Sequence, residues 1–157
     1  MKRFDEKTVW ITGASSGIGK ALAVTFAEEG ARIILSGRRI EALQTVADTL
    51  PTDSLVHPFD VTDFESLKEK VDEAWDWTKR VDILVNNYAA PVPRKLFMES
   101  DWASWQEQID YTVKAAFVCC QAVVPGMRAR SWGRLISVNT IGIHQPALNY
   151  HGYTAAK

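Results

Sequence analysis

Short apolar runs rich in β-branched residues alternate with longer amphipathic ones along the chain. Thr8–Ile11, Arg32–Ser36, Leu55–Pro58, Asp82–Asn86 and Arg134–Val138 have strand length and strand composition. Between them, apolar residues recur at helical spacing over Gly17–Glu29, Ile40–Leu50, Asp63–Trp77 and a long stretch from Trp102 to about Arg130. Strands separated by helices in this way predict an α/β fold, a parallel sheet covered by helices. Gly30 falls where the first helix should end. Thr62 with Glu65 reads as a capping box opening the third helix, and Pro125 as a bend or stop in the fourth. The pattern shows no repeat, low-complexity tract or linker, so residues 1–157 read as one domain. Periodicity lapses only between Asn87 and Asp101, around Pro91, Pro93, Arg94 and Lys95. A loop of that length beyond a strand's carboxyl end is expected to line a ligand crevice.

Chemistry is concentrated at the two ends of the pattern. Directly after the first strand comes Thr12-Gly13-Ala14-Ser15-Ser16-Gly17-Ile18-Gly19, which leads into the first helix. Glycine opens backbone angles closed to other residues and lets an anion approach the main chain, while the helix start offers unpaired N–H groups. Gly13, Ser15, Ser16, Gly17, Ile18 and Gly19 are therefore candidate phosphate-cradling residues. At the end of the second strand, Ser36-Gly37-Arg38-Arg39 stands where a ribose-binding fold that prefers NAD offers an acid. A carboxylate repels a 2′-phosphate and arginine attracts it, so Arg38 and Arg39 point to NADP(H) in preference to NAD(H). The last five residues are Tyr153-Thr154-Ala155-Ala156-Lys157. On a helix the phenol and ammonium lie on one face, and the positive charge favours phenolate.

Glycine loop first and Tyr/Lys pair last, this chain resembles the short-chain dehydrogenase/reductase family from about Lys7 to Lys157, most nearly its 3-oxoacyl-carrier-protein reductase-like members. The resemblance implies a Rossmann-like, doubly wound parallel sheet with helices on both faces. Tyr153 would be the general acid/base, and Lys157 would lower its pKa and hold the nicotinamide ribose. It further implies that Asp60 and Val61 lie beside the adenine and that Asn86 opens the motif ending the fourth strand. Thr140 stands where the family has a serine that steadies the substrate oxygen, and Thr112 where it has an asparagine supporting a water network toward the lysine. Tyr88-Ala89 replaces the family's usual small residue and glycine. Family members continue past the Tyr/Lys pair, so the C-terminal part of the fold is expected to be missing and the segment alone to turn over poorly. The implied activity is hydride transfer between nicotinamide and a carbonyl or secondary alcohol. The alternative is a non-catalytic or incomplete NADP-binding module of the same fold.

Composition narrows the rest. The chain is 46% hydrophobic and 24% charged, with a net charge of −1, which gives no ground for a nucleic acid or an anionic membrane as partner. No apolar run reaches the roughly 18–20 residues that span a bilayer. Cys119 and Cys120, the only cysteines, read as small buried hydrophobes and suggest a reducing, cytoplasmic setting. His144 and His151 have no metal-ligand spacing, and no metal is expected. A small-molecule carbonyl or alcohol is the expected partner, with a homo-oligomer implied by the resemblance.

Overall fold

The computed structural model describes residues 2–157, apart from the side chains of Leu67, Lys68 and Val71. Its strands are β1 (Thr8–Thr12), β2 (Arg32–Gly37), β3 (Ser54–Pro58), β4 (Ile83–Asn86) and β5 (Arg134–Ser137). Every residue of β1 is buried. Successive strand residues face opposite sides, so Val9 and Ile11 enter one apolar cluster while Trp10 enters the other. A strand buried on both faces belongs inside a parallel sheet. Accordingly β1 is central in the order β3-β2-β1-β4-β5, with every pairing parallel.

Helices α1 (Gly17–Glu28) and α2 (Ile40–Ala47) cover one face. Their Ala23, Ala27, Leu43 and Val46 pack with Val9, Ile11, Ile33 and Leu35. On the other face, α3 (Phe64–Thr78) and α5 (Ala115–Ala129) bring Ala74, Ala115, Cys119, Val123 and Met127 onto Trp10, Ile34 and Leu84. This is the helix-covered parallel sheet expected from the alternation of strands and helices, in the Rossmann-like form that the resemblance implies.

Three local readings are corrected. The cap of α3 is Asp63, which accepts a hydrogen bond from Ser66 N at 3.3 Å. Thr62 lies one position outside the cap, where its N–H and hydroxyl both donate to Asp60 Oδ1, at 2.9 and 2.8 Å. The long helix is divided into α4 (Trp102–Ile109), a π-helical turn at Asp110–Lys114, and α5. Pro125 neither ends nor interrupts α5, which runs on to Ala129. The ring of Trp75 from α3 lies against Gly126, and burial of Met127 holds the last turn in place.

His57 sits in a buried polar cluster of the core. Trp10 Nε1 donates to Ser36 Oγ at 2.8 Å, and Ser36 Oγ lies 3.2 Å from His57 Nδ1. His57 Nε2 faces Glu73 at 3.5 Å. Burial pushes the His57 pKa down, against the pull of Glu73 and with the help of Lys70. The unfolded chain therefore takes up a proton at higher pH than the folded one. Stability from neutral His57 is present above its ordinary value of about 6.5 and is lost as pH falls below it. The denaturant midpoint is expected to drop between neutrality and about pH 5, before most carboxylates titrate. His57→Gln should flatten that slope, and an unchanged slope in this variant would assign the loss to other groups.

Candidate functional site

At β1 the sheet order reverses, with β2 on one side and β4 on the other, so a crevice opens beyond the strands' carboxyl ends. The chain leaves β1 at Gly13 with φ +67, a left-handed angle. A Cβ here would also sit 3.0 Å from Asn87 Nδ2. Asn87 donates through that nitrogen to Thr12 O and Gly13 O, at 3.0 and 3.2 Å. Thr12 Oγ1 in turn accepts from Asn87 N at 3.1 Å and Tyr88 N at 3.3 Å. Gly19 lets α1 close onto the turn, since a Cβ there would collide with the Gly13 carbonyl. Ser16, at the N-cap of α1, makes no side-chain cap, which leaves the first-turn N–H groups available to a ligand.

A cavity of about 470 Å³ lies over this turn. Gly13, Ser15 and Ser16 form its floor, Arg38 and Arg39 one wall, and Asn87 to Pro91 the other. Arg39 Nη2 donates to Ser15 Oγ at 3.3 Å, and the Arg38 guanidinium lies over the Tyr88 ring, 5.7 Å from its centroid. The lining holds two guanidinium groups and no carboxylate. Such a donor set fits a phosphorylated nucleotide. Gly17 and exposed Ile18 lie on α1 at its edge.

A second cavity, of about 250 Å³, lies between the ends of β4 and β5, the π-helical turn and helix α6 (His151–Ala156). Asn86, Thr112, Cys119, Val138 and Lys157 are among its lining. Lys157 Nζ donates to Val138 O at 2.9 Å and stands 5.9 Å from the centroid of the Tyr153 ring. Burial lowers the Lys157 pKa. Thr112 Oγ1 is buried and has no hydrogen-bond partner among the described residues. The Cys119 thiol is pushed up to about 12 by burial, which keeps it an inert part of the wall. Although short, α6 is packed in place. Phe97 meets the His151 ring edge-on at 5.6 Å, and Trp105 lies against Gly152.

The structure separates the residues singled out in the sequence. Ser15, Ser16, Gly13, Arg38 and Arg39 share the first cavity. Val61, Asn86, Thr112 and Lys157 share the second. Tyr153 is half-buried one turn before Lys157 and lines neither cavity. Thr140 also lines neither; its Oγ1 accepts from Gly142 N at 3.2 Å and caps a short 3-10 turn at Ile141–Ile143. The Asp60 carboxylate is engaged by Thr62, outside both cavities.

Three residues of the site, Thr12, Asn87 and Tyr88, were not named as binding residues in the sequence reading, though Asn87 and Tyr88 begin the segment expected to line a crevice. The period of two along a strand was the available signal. With Asn86 facing the second cavity, its Nδ2 3.5 Å from Cys120 Sγ, the next asparagine has to face the glycine turn. Among the described residues no cluster of His, Cys, Asp and Glu is placed to hold a metal, and no helix is long and apolar enough to cross a membrane.

A model of the short chain dehydrogenase family matches residues 7–157. An uncharacterized oxidoreductase of Staphylococcus aureus (strain USA300) is 35% identical over 153 residues, covering 97% of this chain and 66% of that protein. One from Staphylococcus saprophyticus is 30% identical over 145 residues, covering 92% and 58% respectively. The crystal structure of a metagenomic short-chain oxidoreductase in complex with NADP superposes with a TM-score of 0.93 at 26% identity, covering 98% of this chain and 71% of that one. The chain thus spans about two thirds or less of the length of these curated relatives.

Proposed function

Because the chain belongs to the short-chain dehydrogenase family, we propose that it carries the nucleotide-binding and proton-transfer portion of an NADP-dependent oxidoreductase. The substrate is a carbonyl compound or its secondary alcohol. One observation carries this reading: a carboxylate-free cavity with two arginines, built over an uncapped helix start. The likeness to a protein in complex with NADP supports it.

In this reading Gly13, Ser15, Ser16 and the first turn of α1 hold the pyrophosphate, while Arg38 and Arg39 receive the 2′-phosphate. Bound nicotinamide supplies or accepts the hydride. Tyr153 passes the proton to or from the substrate oxygen. Lys157, tied to Val138 O through one of its three N–H donors, keeps two for a ribose and stands beside the Tyr153 ring. Thr112, buried and unpartnered among the described residues, offers a hydroxyl to water beside Lys157. Exposed Val113 and Phe117 on the helical segment beyond α4 support a homo-oligomer. The second reading, a binding module without catalysis, is favoured by the position of Tyr153 and Thr140 outside both cavities.

Titration of the chain with NADPH and NADH at one fixed salt concentration, followed by the fluorescence of its six tryptophans, tests the nucleotide half of the reading. Saturable binding is expected, with NADPH tighter by about tenfold, and Arg38→Gln should bring the two affinities together. A folded sample that binds neither dinucleotide overturns the reading.

A further inference from the structure

Tyr88 is the residue that the two cavities have in common among those described. Its backbone N–H is held by Thr12 Oγ1 at 3.3 Å, and its ring stacks on Tyr111 with centroids 5.3 Å apart and planes 28° from parallel. Arg38 also meets this ring, its guanidinium carbon lying over it 5.7 Å from the centroid. We propose that Tyr88 is a positioning residue for Arg38, so that discrimination in favour of a 2′-phosphorylated adenosine depends on an Arg38–Tyr88 pair rather than on Arg38 alone. This rests on the nucleotide reading above.

The two adjacent arginines are held by different means. Arg39 spends an N–H on Ser15 Oγ. Arg38 is held by attraction of its charge to an aromatic face, which uses none of its five N–H donors. A carboxylate partner would also fix Arg38, but it would occupy the fork that a phosphate needs. An aromatic partner restrains the side chain and leaves the fork free. Without it, a long exposed arginine must give up rotamer freedom on binding, and affinity for the extra phosphate falls accordingly. Tyr111 matters here because its stacking on the ring restrains Tyr88 where the two cavities meet.

The test measures calorimetric affinities of the chain for adenosine 2′,5′-bisphosphate and for 5′-AMP at one salt concentration. It compares wild type with Tyr88→Phe, Tyr88→Leu and Tyr88→Ala, each checked for native tryptophan emission. Wild type should prefer the bisphosphate, and Tyr88→Phe should keep that preference because the π face remains. Tyr88→Leu, which fills space without a π face, and Tyr88→Ala should each reduce the preference about three- to tenfold. The loss should fall on the bisphosphate, with 5′-AMP affinity changed less than twofold. In an Arg38→Gln background, Tyr88→Leu should have no further effect on the preference. Full preference in Tyr88→Leu, or equal weakening of both nucleotides in Tyr88→Ala, overturns the proposal and leaves the nucleotide reading standing. Failure of folded wild type to bind either nucleotide overturns both.

Discussion

In the intact oxidoreductase proposed above, Tyr153→Phe is expected to lower kcat for carbonyl reduction by roughly two to four orders of magnitude, the span that a positioned proton donor contributes. Dinucleotide affinity should change less than twofold, since the ring lines neither cavity in the free protein. The substitution removes one oxygen and keeps the ring, which stands edge-on to Tyr150 at 6.3 Å. Packing of α6 onto α4 is thereby preserved. Nicotinamide absorbance under saturating substrate reads kcat, and tryptophan fluorescence reads binding. A variant that retains more than a tenth of the wild-type rate would remove Tyr153 from the proton path and favour the non-catalytic reading. Lys157→Met offers a contrast. It removes the hydrogen bond to Val138 O as well as the charge, so binding and turnover should both suffer.

Features legible in the sequence were those fixed by local backbone demands. A turn that leaves β1 at a left-handed angle needs the glycine found at Gly13, and a helix that closes onto that turn needs the one at Gly19. The paired arginines after β2 were readable as a cationic pair at a strand's carboxyl end, and both line the first cavity. What escaped depends on partners distant in the chain. Asp63 rather than the neighbouring Thr62 caps α3, and since both residue types are favoured caps, propensity does not choose between them. The π-helical turn at Asp110–Lys114 inserts extra backbone in the long helix and turns Tyr111 and Thr112 toward a cavity. Its sequence reads as ordinary helix. Tyr88 stood out in the sequence as a departure from the family pattern. Its use became visible only when Arg38 and Tyr111, at 50 and 23 positions' remove, were both seen against its ring.

Asp82→Ala is expected to destabilise the chain by about 2–4 kcal/mol, the largest stability loss available from a single polar side chain here. Asp82 is fully buried just before β4, at the end of the sheet opposite the crevice. Its backbone links two neighbours, donating to Thr8 O at 2.9 Å and accepting from Arg134 N at 3.0 Å. Its carboxylate accepts from Thr8 N at 3.0 Å and from Arg80 Nε at 2.8 Å on both oxygens, and Arg130 approaches to 4.0 Å. Alanine leaves the buried Thr8 N–H without its acceptor and two arginines without their counter-charge. Both guanidinium groups are about a third exposed, so water takes up part of the loss and the figure stays below that of a sealed pair. Asp82→Asn keeps an acceptor for Thr8 N–H and should lose about half as much. Denaturant midpoints at constant m-value provide the measurement. Equal losses in the two variants would show that the charge, rather than the hydrogen bond to β1, carries the stabilisation. A loss below about 0.5 kcal/mol in Asp82→Ala would mean that the strand register is held by apolar packing alone.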